Sequence, residues 1–257
     1  ILRPQQAPPP LTWTDRKAEL LADLGVDAVI AYPTDEELLQ LSPDEFFERI
    51  IRRQLAARAM VEGPNFFFGR DRAGDIQTLR QLCAGDEIQL TIVEPTKHPD
   101  DGDFISSSRI RRLIAAGDVD QAAALLTQPY RLRGMVTHGA ARGAKIGFPT
   151  ANLEAIDTIL PGMGVYAGRA HVSGEKARTD FPAAINIGPS PTFGEDEVRV
   201  EVHLIGFDGW LYGKPLEVDF LARLRDIHPF PSVEALKEQL ARDVERTKEL
   251  LENTDRS

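Results

Sequence analysis

Two domains of different class are predicted for this chain: an α/β domain with a largely parallel sheet, then a mainly β domain, an antiparallel barrel or sandwich closed by a helix. Two patterns carry the prediction. Up to about residue 128, helical apolar stripes alternate with short apolar runs, the signature of β and α elements in succession. Beyond Gln128-Pro129, runs rich in Val, Ile, Tyr and Phe follow one another between Gly and Pro clusters, with no helix between them until the end. The boundary is drawn between residues 1–128 and 129–257.

In the first half, residues 14–24 read as a helix with Leu20, Leu21 and Leu24 at helical spacing, Thr14 as its cap and Gly25 at a left-handed end. Residues 28–31 are a short apolar run and read as a buried strand. Residues 42–60 read as a helix, with Pro43 in its first turn and Phe46, Phe47, Ile50, Ile51 and Leu55 along one stripe. Residues 77–84 are helical in pattern, 87–93 alternate as a strand, and 107–116 are helical and end at Gly117. Asp118 and Gln121 are spaced as a capping box for the next helix.

In the second half the strands are expected at 130–137, 164–172, 183–187, 198–207 and 216–224. A closing helix runs from Val233 to about Leu251, with Val233, Leu236, Leu240 and Val244 on one face.

Composition narrows the function. Of 257 residues, 42% are hydrophobic and 27% charged, which suits packed cores rather than disorder. A net charge of −10 argues against a broad phosphate-backbone footprint, so nucleic acid is not expected as a partner; small anionic ligands need only a few local cations. The single cysteine, Cys83, allows no intrachain disulfide and fits a reducing, cytoplasmic setting. No stretch approaches the roughly 20 apolar residues that span a bilayer, so no membrane role is expected. Oligomerisation is left open. The chain starts at Ile1 rather than Met, which is read as a gene-product start lying upstream.

The richest stretch is His138-Gly139-Ala140-Ala141-Arg142-Gly143-Ala144-Lys145-Ile146-Gly147-Phe148-Pro149-Thr150-Ala151-Asn152-Leu153. Gly139, Gly143 and Gly147 permit positive dihedrals and close approach of a ligand, and Arg142 and Lys145 add cations, so a phosphate cradle is the natural reading. Pro149 forces Phe148 to be extended, and Thr150 and Asn152, two apart, project to one side. A hydroxyl and a carboxamide oxygen suit magnesium, which shares its ligands with phosphates. Spacing by itself favours a plain glycine loop before an ordinary strand. The fingerprints of a P-loop and of a protein-kinase glycine loop are absent. Downstream, Val198, Val200, Val202 and Leu204 alternate with Arg199, Glu201 and His203, so the polar three share one face. By pattern, Glu201 is a solvated strand residue.

Those motifs resemble, in order, the riboflavin kinases. The likeness runs from Arg142-Gly143 and Gly147-Phe148-Pro149-Thr150-Ala151-Asn152 through Gly164-Val165-Tyr166-Ala167-Gly168 and Asn186-Ile187-Gly188 with Pro191-Thr192-Phe193-Gly194. It continues through Val200-Glu201-Val202-His203-Leu204, Leu211-Tyr212-Gly213 and Phe220-Leu221-Ala222-Arg223-Leu224-Arg225 to Phe230. The resemblance implies a six-stranded antiparallel β-barrel with a C-terminal helix, binding ATP through Gly139, Arg142, Gly143, Lys145, Gly147, Thr150 and Asn152. Thr150 and Asn152 would hold Mg2+, and Glu201 would be the base toward the ribityl hydroxyl of riboflavin. Arg225 and Phe230 would lie on the flavin side, where the family often carries an acid near the position of Ile227; a plain surface arginine is the alternative for Arg225. His203 is read as structural or supporting.

The first half resembles the FMN adenylyltransferase module of prokaryotic bifunctional riboflavin kinase/FAD synthetases, through Glu62-Gly63-Pro64-Asn65-Phe66-Phe67-Phe68-Gly69-Arg70 and Ile105-Ser106-Ser107-Ser108-Arg109-Ile110-Arg111. The implied fold is a Rossmann-like nucleotidyltransferase domain, incomplete here, with Asn65 near the nucleotide and Ser107, Ser108 and Arg111 near the triphosphate. Taken structurally, Ser107 is an N-cap and the phenylalanines are core. The module's His-x-Gly-His element does not occur in these 257 residues. The expectation is therefore FMN formation with weak or no adenylyltransferase activity in this chain, and both activities in a full-length parent. A nonenzymatic flavin- or nucleotide-binding regulator on the same barrel is the alternative; it would need neither a base nor a magnesium site.

Overall fold

The computed structural model describes residues 7–139, 142–173, 178–190 and 195–254. Contacts divide them into two compact units, one of residues 27–105 with residue 7, the other of residues 8–26 and 106–254.

In the unit of residues 27–105, α2 (Glu36–Gln40) and α3 (Pro43–Phe46) precede a π-helical segment, Phe47–Gln54. A capping box fixes the start of α3: the Ser42 hydroxyl accepts from the Glu45 amide at 3.2 Å, and the Ser42 amide donates to Glu45 Oε2 at 2.9 Å. The wide turns that follow keep Phe47, Ile50 and Ile51 together in a core with Leu41, Phe68, Leu79, Cys83 and Ile88. The helix expected to reach Met60 stops at Leu55. Ala56 takes φ +47°, and Ala59–Glu62 becomes β1, paired in parallel with β2 (Gln89–Ile92) around α4 (Ile76–Gly85). Pairing with β2 uses backbone groups that a continued helix would have used internally. The strand expected at 28–31 does not form: these residues are exposed, with Ile30 65% accessible. An apolar run becomes a strand only where a neighbour takes its N–H and C=O groups, and among the described residues this sheet has two strands, β1 and β2.

The second unit opens with α1 (Thr14–Asp23). Its N-cap is Trp13, with no side-chain cap, so Thr14 is the first helical residue rather than the expected cap; Gly25 does take the left-handed φ of +86°. Trp13 is buried, and the Arg133 guanidinium lies 4.8 Å from its ring centroid. α5 (Ser107–Ala116) ends at left-handed Gly117, as expected, but its cap is Ser106, whose hydroxyl accepts from the Arg109 amide. α6 (Val119–Leu126) starts after Asp118 without a side-chain cap, so the expected capping box is not made. Both helices, which sequence order attaches to the first half, group with the barrel: α6 lies against its strands, and the Gly162 amide donates to Ile114 O at the end of α5.

Six strands close a barrel in the order β3-β4-β7-β6-β5-β8: β3 (Tyr130–Thr137), β4 (Ala151–Glu154), β5 (Gly164–Ser173), β6 (Arg178–Ser190), β7 (Glu195–Leu204) and β8 (Pro215–Arg225). Period-two alternation turns Leu132, Val136, Leu153, Ile185, Ile187, Val200, Val202, Leu216 and Val218 inward, all essentially buried. Each such side chain contributes about 1.5–3 kcal/mol by leaving water. At Gly168 a Cβ would overlap the Asp219 carbonyl, so the close β5–β8 contact beside a register shift requires glycine there. A one-turn helix, α7 (Arg142–Lys145), precedes β4, and α8 (Val233–Thr254) covers β5 and β6 with Thr247 and Leu251 buried.

An ionic chain centred on the buried His171 and Asp219 lies among the outward-turned residues of β3, β5, β6 and β8. Arg131 clasps Asp219 through Nε at 2.5 Å and Nη2 at 2.7 Å and reaches Glu217 at 3.3 Å. His171 lies 2.8 Å from Asp219 and 2.7 Å from Asp180. Burial alone would raise the Asp219 carboxyl, but the bonds from His171 and Arg131 outweigh it and hold the group below the ordinary aspartate value.

Candidate active site

The glycine-rich loop is shaped around two side chains of the following strand. A Cβ on Gly139 would overlap the Asn152 carboxamide, and one on Gly143 would overlap the Phe148 carbonyl and come within 3.6 Å of Thr150 Oγ1. Of the three glycines, Gly147 takes the positive φ, +92°; Gly139 and Gly143 are needed for close approach. The Phe148 amide donates to Gly143 O at 2.8 Å and folds the loop back over α7. His203 Nδ1 donates to Pro149 O at 2.7 Å and its ring stands edge-on to Phe148, so it braces the corner that presents Thr150. Lys145 is exposed beside this turn. The side chain of Arg142, residues Ala140 and Ala141, and the motif Pro191-Thr192-Phe193-Gly194 lie outside the described residues.

Strand register brings the predicted residues into one line. Thr137 of β3 is opposite Asn152 of β4, Asn152 opposite Glu201 of β7, and Glu201 opposite Asn186 of β6. The line continues through Val165 of β5 to Arg225 of β8. Directly opposed residues of an antiparallel pair project to the same side, with Cβ atoms about 4.5–5.5 Å apart. Ala151, Leu153, Val200, Val202, Ile185 and Ile187 are buried on the core side, so Asn152, Glu201 and Asn186 turn outward together, each half-buried. Thr137 Oγ1 is buried and lacks a hydrogen-bond partner among the described residues.

A cavity of about 550 Å³ opens beside this line, bounded by His138, Gly139, Asn152, Glu154 and Arg199. Glu201 does not line it but stands one strand from Asn152. At its His138 end an aromatic cluster has formed: the His138 ring stacks on Tyr212 at 3.9 Å, and Trp210 meets Tyr212 edge-on at 4.7 Å. Reading strands one at a time gave no role to Thr137, Asn186 or this cluster, although Asn186 and Tyr212 stand in the motifs Asn186-Ile187-Gly188 and Leu211-Tyr212-Gly213; a polar residue between inward isoleucines, as at Asn186, was the available signal.

Arg225 is not a plain surface arginine. Its side chain is 17% exposed and holds the buried Asp243 of α8 through Nη2 at 2.9 Å and Nε at 3.1 Å, while Gln239 donates to the same carboxylate. Phe230 is brought to it, with the guanidinium 5.5 Å from the ring centroid. Where the resemblance leads one to look for an acid, Ile227 instead packs its terminal methyl over Gly188.

The remaining predicted residues fall in different units. Asn65 is exposed after β1 in the unit of residues 27–105, beside the stacked Phe66 and Phe68, of which Phe68 is core. Ser107 and Ser108 are exposed in the first turn of α5, and Arg111 donates to Pro9 O at 2.7 Å. The first turn of a helix offers free amides to an anion.

The metal question turns on donor chemistry. Thr150 Oγ1, the Asn152 amide oxygen and the orphaned Thr137 Oγ1 are neutral oxygens of the kind magnesium takes while keeping phosphate and water ligands. The residues fit such an ion.

Residues 126–251 match the riboflavin kinase family model, and residues 1–109 match the FAD synthetase model. The bifunctional riboflavin kinase/FMN adenylyltransferase of Pseudomonas fluorescens is 36% identical over 242 residues, 94% of this chain and 76% of that protein. The enzyme of the same name from Escherichia coli K12 is 34% identical, over 93% of this chain and 74% of that protein. A solved structure from Streptococcus pneumoniae, named as a macrolide-efflux protein, superposes with a TM-score of 0.79 at 33% identity, over 93% of this chain and 75% of that one. Among the described residues no helix is long and apolar enough to cross a membrane. Two family models in sequence and relatives above 30% identity along nearly the whole chain lead to one statement: this chain belongs to the family of bifunctional riboflavin kinase/FMN adenylyltransferases.

Proposed function

We propose that the barrel unit transfers the γ-phosphoryl group of ATP to the ribityl 5′-hydroxyl of riboflavin, giving FMN and ADP. The observation that carries this reading is the register pair Asn152↔Glu201, which puts a carboxylate beside the loop that cradles Asn152 and Thr150. The loop amides and Lys145 hold the phosphates; Thr150 and Asn152, with Thr137 at hand, would hold Mg2+, which would supply positive charge to offset that of the phosphates. Glu201 accepts a hydrogen bond from the attacking hydroxyl and takes its proton. An alcohol is too weak an acid to be ionised beforehand by a carboxylate, so the proton moves late, after the bond to phosphorus has begun to form. Positioning therefore counts for more than basicity. Arg225 and Phe230 face the flavin.

The second activity of the family is adenylylation of FMN to FAD; Asn65 in one unit, and separately Ser107, Ser108 and Arg111 in the other, stand in the segments that resemble its nucleotide-binding motifs. These 257 residues contain no His-x-Gly-His, and FMN is the product expected of them. The setting is cytoplasmic, the partners are small molecules, and a homo-oligomer is left open. Chromatography of products after incubation with riboflavin, ATP and magnesium tests both assignments. FMN without FAD is expected, and Glu201→Gln should lower its formation by about 10²–10⁴-fold with the melting midpoint unchanged. Near-normal turnover in that variant would reassign the base; abundant FAD would overturn the expectation for the second module.

A further inference from the structure

We propose that Asn186 is a positioning residue for the phosphoryl transfer, orienting the Glu201 carboxylate from the side opposite Asn152. The inference rests on the kinase reading of this site. Asn186 is directly opposite Glu201 in the β6–β7 ladder, as Asn152 is in the β4–β7 ladder. Buried Ile185 and Ile187 fix the rotation of β6, so the carboxamide between them must turn to the face that Glu201 shares. Its neighbour on the far side is Val165, which offers no polar group, so Glu201 is the polar side chain that Asn186 meets along the row.

The chemistry explains why an amide stands there. A carboxylate that waits to accept a proton needs a fixed direction more than it needs neutralising. A lysine or arginine at position 186 would orient Glu201 but lower its basicity, and an acid would raise its pKa by repulsion. A carboxamide donates a hydrogen bond without adding charge. On the other side of Glu201 stands a second neutral carboxamide, that of Asn152, likewise opposite it in register. One acid between two neutral carboxamides, on three neighbouring strands with the loop at one end, is the arrangement from which Asn186 would hold the base in line.

Steady-state kinetics of Asn186→Ala and Asn186→Ser test the inference, with Glu201→Gln measured alongside. For Asn186→Ala, kcat is expected to fall about 10–100-fold, with KM for riboflavin and for ATP within about threefold and the melting midpoint unmoved. Asn186→Ser, which keeps a donor, should recover part of that loss. The inference is overturned if Asn186→Ala keeps kcat within twofold, if its loss lies wholly in KM, or if Asn186→Ser recovers none of it. Should wild type form no FMN, or Glu201→Gln keep its turnover, the kinase reading itself falls and takes this inference with it.

Discussion

Two polar clusters face outward on one barrel, and they are built on opposite plans. On β4, β7 and β6 a single carboxylate stands between two neutral amides beside a glycine loop and a cavity. On β3, β5, β6 and β8 the chain Glu217, Arg131, Asp219, His171 and Asp180 alternates acid and base, each bonded to the next. Asp219 accepts from Arg131 on one oxygen and from Arg131 and His171 on the other. Such a chain spends its donors and acceptors on itself and leaves little for a ligand. The difference teaches where to look for chemistry: a cluster that closes electrically stabilises a fold, whereas an acid flanked by uncharged donors is arranged for something that arrives later.

The comparison breaks first at Asp219. Asp219→Ala should destabilise the barrel by about 3–5 kcal/mol, because it leaves Arg131 and His171 buried without their shared acid. Turnover per folded molecule should stay within about threefold, since the chain lies outside the row. Denaturant melts beside specific activity decide it; a folded but inactive variant would place Asp219 in the machinery. The same group gives a pH signature with a definite sign. Its folded value is held below the ordinary 3.8, so its stabilisation is complete above that value and is lost as the pH falls through the folded one. The gap in melting midpoint between wild type and Asp219→Asn should close as the pH falls through the folded value of Asp219.

The row answers in the opposite way. Asn152→Leu keeps the size of the side chain and removes both its donor and its acceptor. FMN formation should fall by about 100-fold, roughly 2.7 kcal/mol in the barrier, with a change in stability of no more than about 0.5 kcal/mol. A large loss of stability in place of activity would make Asn152 a structural bracket for Gly139.

How much of this could be read from the sequence depended on whether the cause was local. The barrel strands were legible because alternation is written within each one: Leu132 and Val136 in β3, or Val200 and Val202 in β7, mark the inward face by themselves. The loop was legible through its glycines. The row was not, because its members come from segments about 50 and 15 residues apart, and only long-range register decides that Asn152, Glu201 and Asn186 share a line. The same limit explains the misreadings. Residues 28–31 have the composition of a strand but no described neighbour to pair with, and the helix begun at Pro43 ends in a turn at Ala56 that no glycine or proline announces. Asp243 stands among the charged residues of α8, and nothing local marks it as the buried partner of Arg225.

Arg225 belongs to both plans and so gives the finest test. Its guanidinium grips Asp243 in the manner of the closed chain, yet it ends the row that begins at Thr137. Lysine would keep the charge and lose the planar fork that meets both carboxylate oxygens. If the flavin-side assignment holds, Arg225→Lys should raise the riboflavin KM about 5–10-fold with kcat within threefold, at a stability loss of about 1 kcal/mol. Equilibrium unfolding and riboflavin saturation curves separate the two roles. A stability loss with unchanged KM would move Arg225 to the closed chain's side, because a residue wholly spent on Asp243 has nothing left with which to hold a flavin.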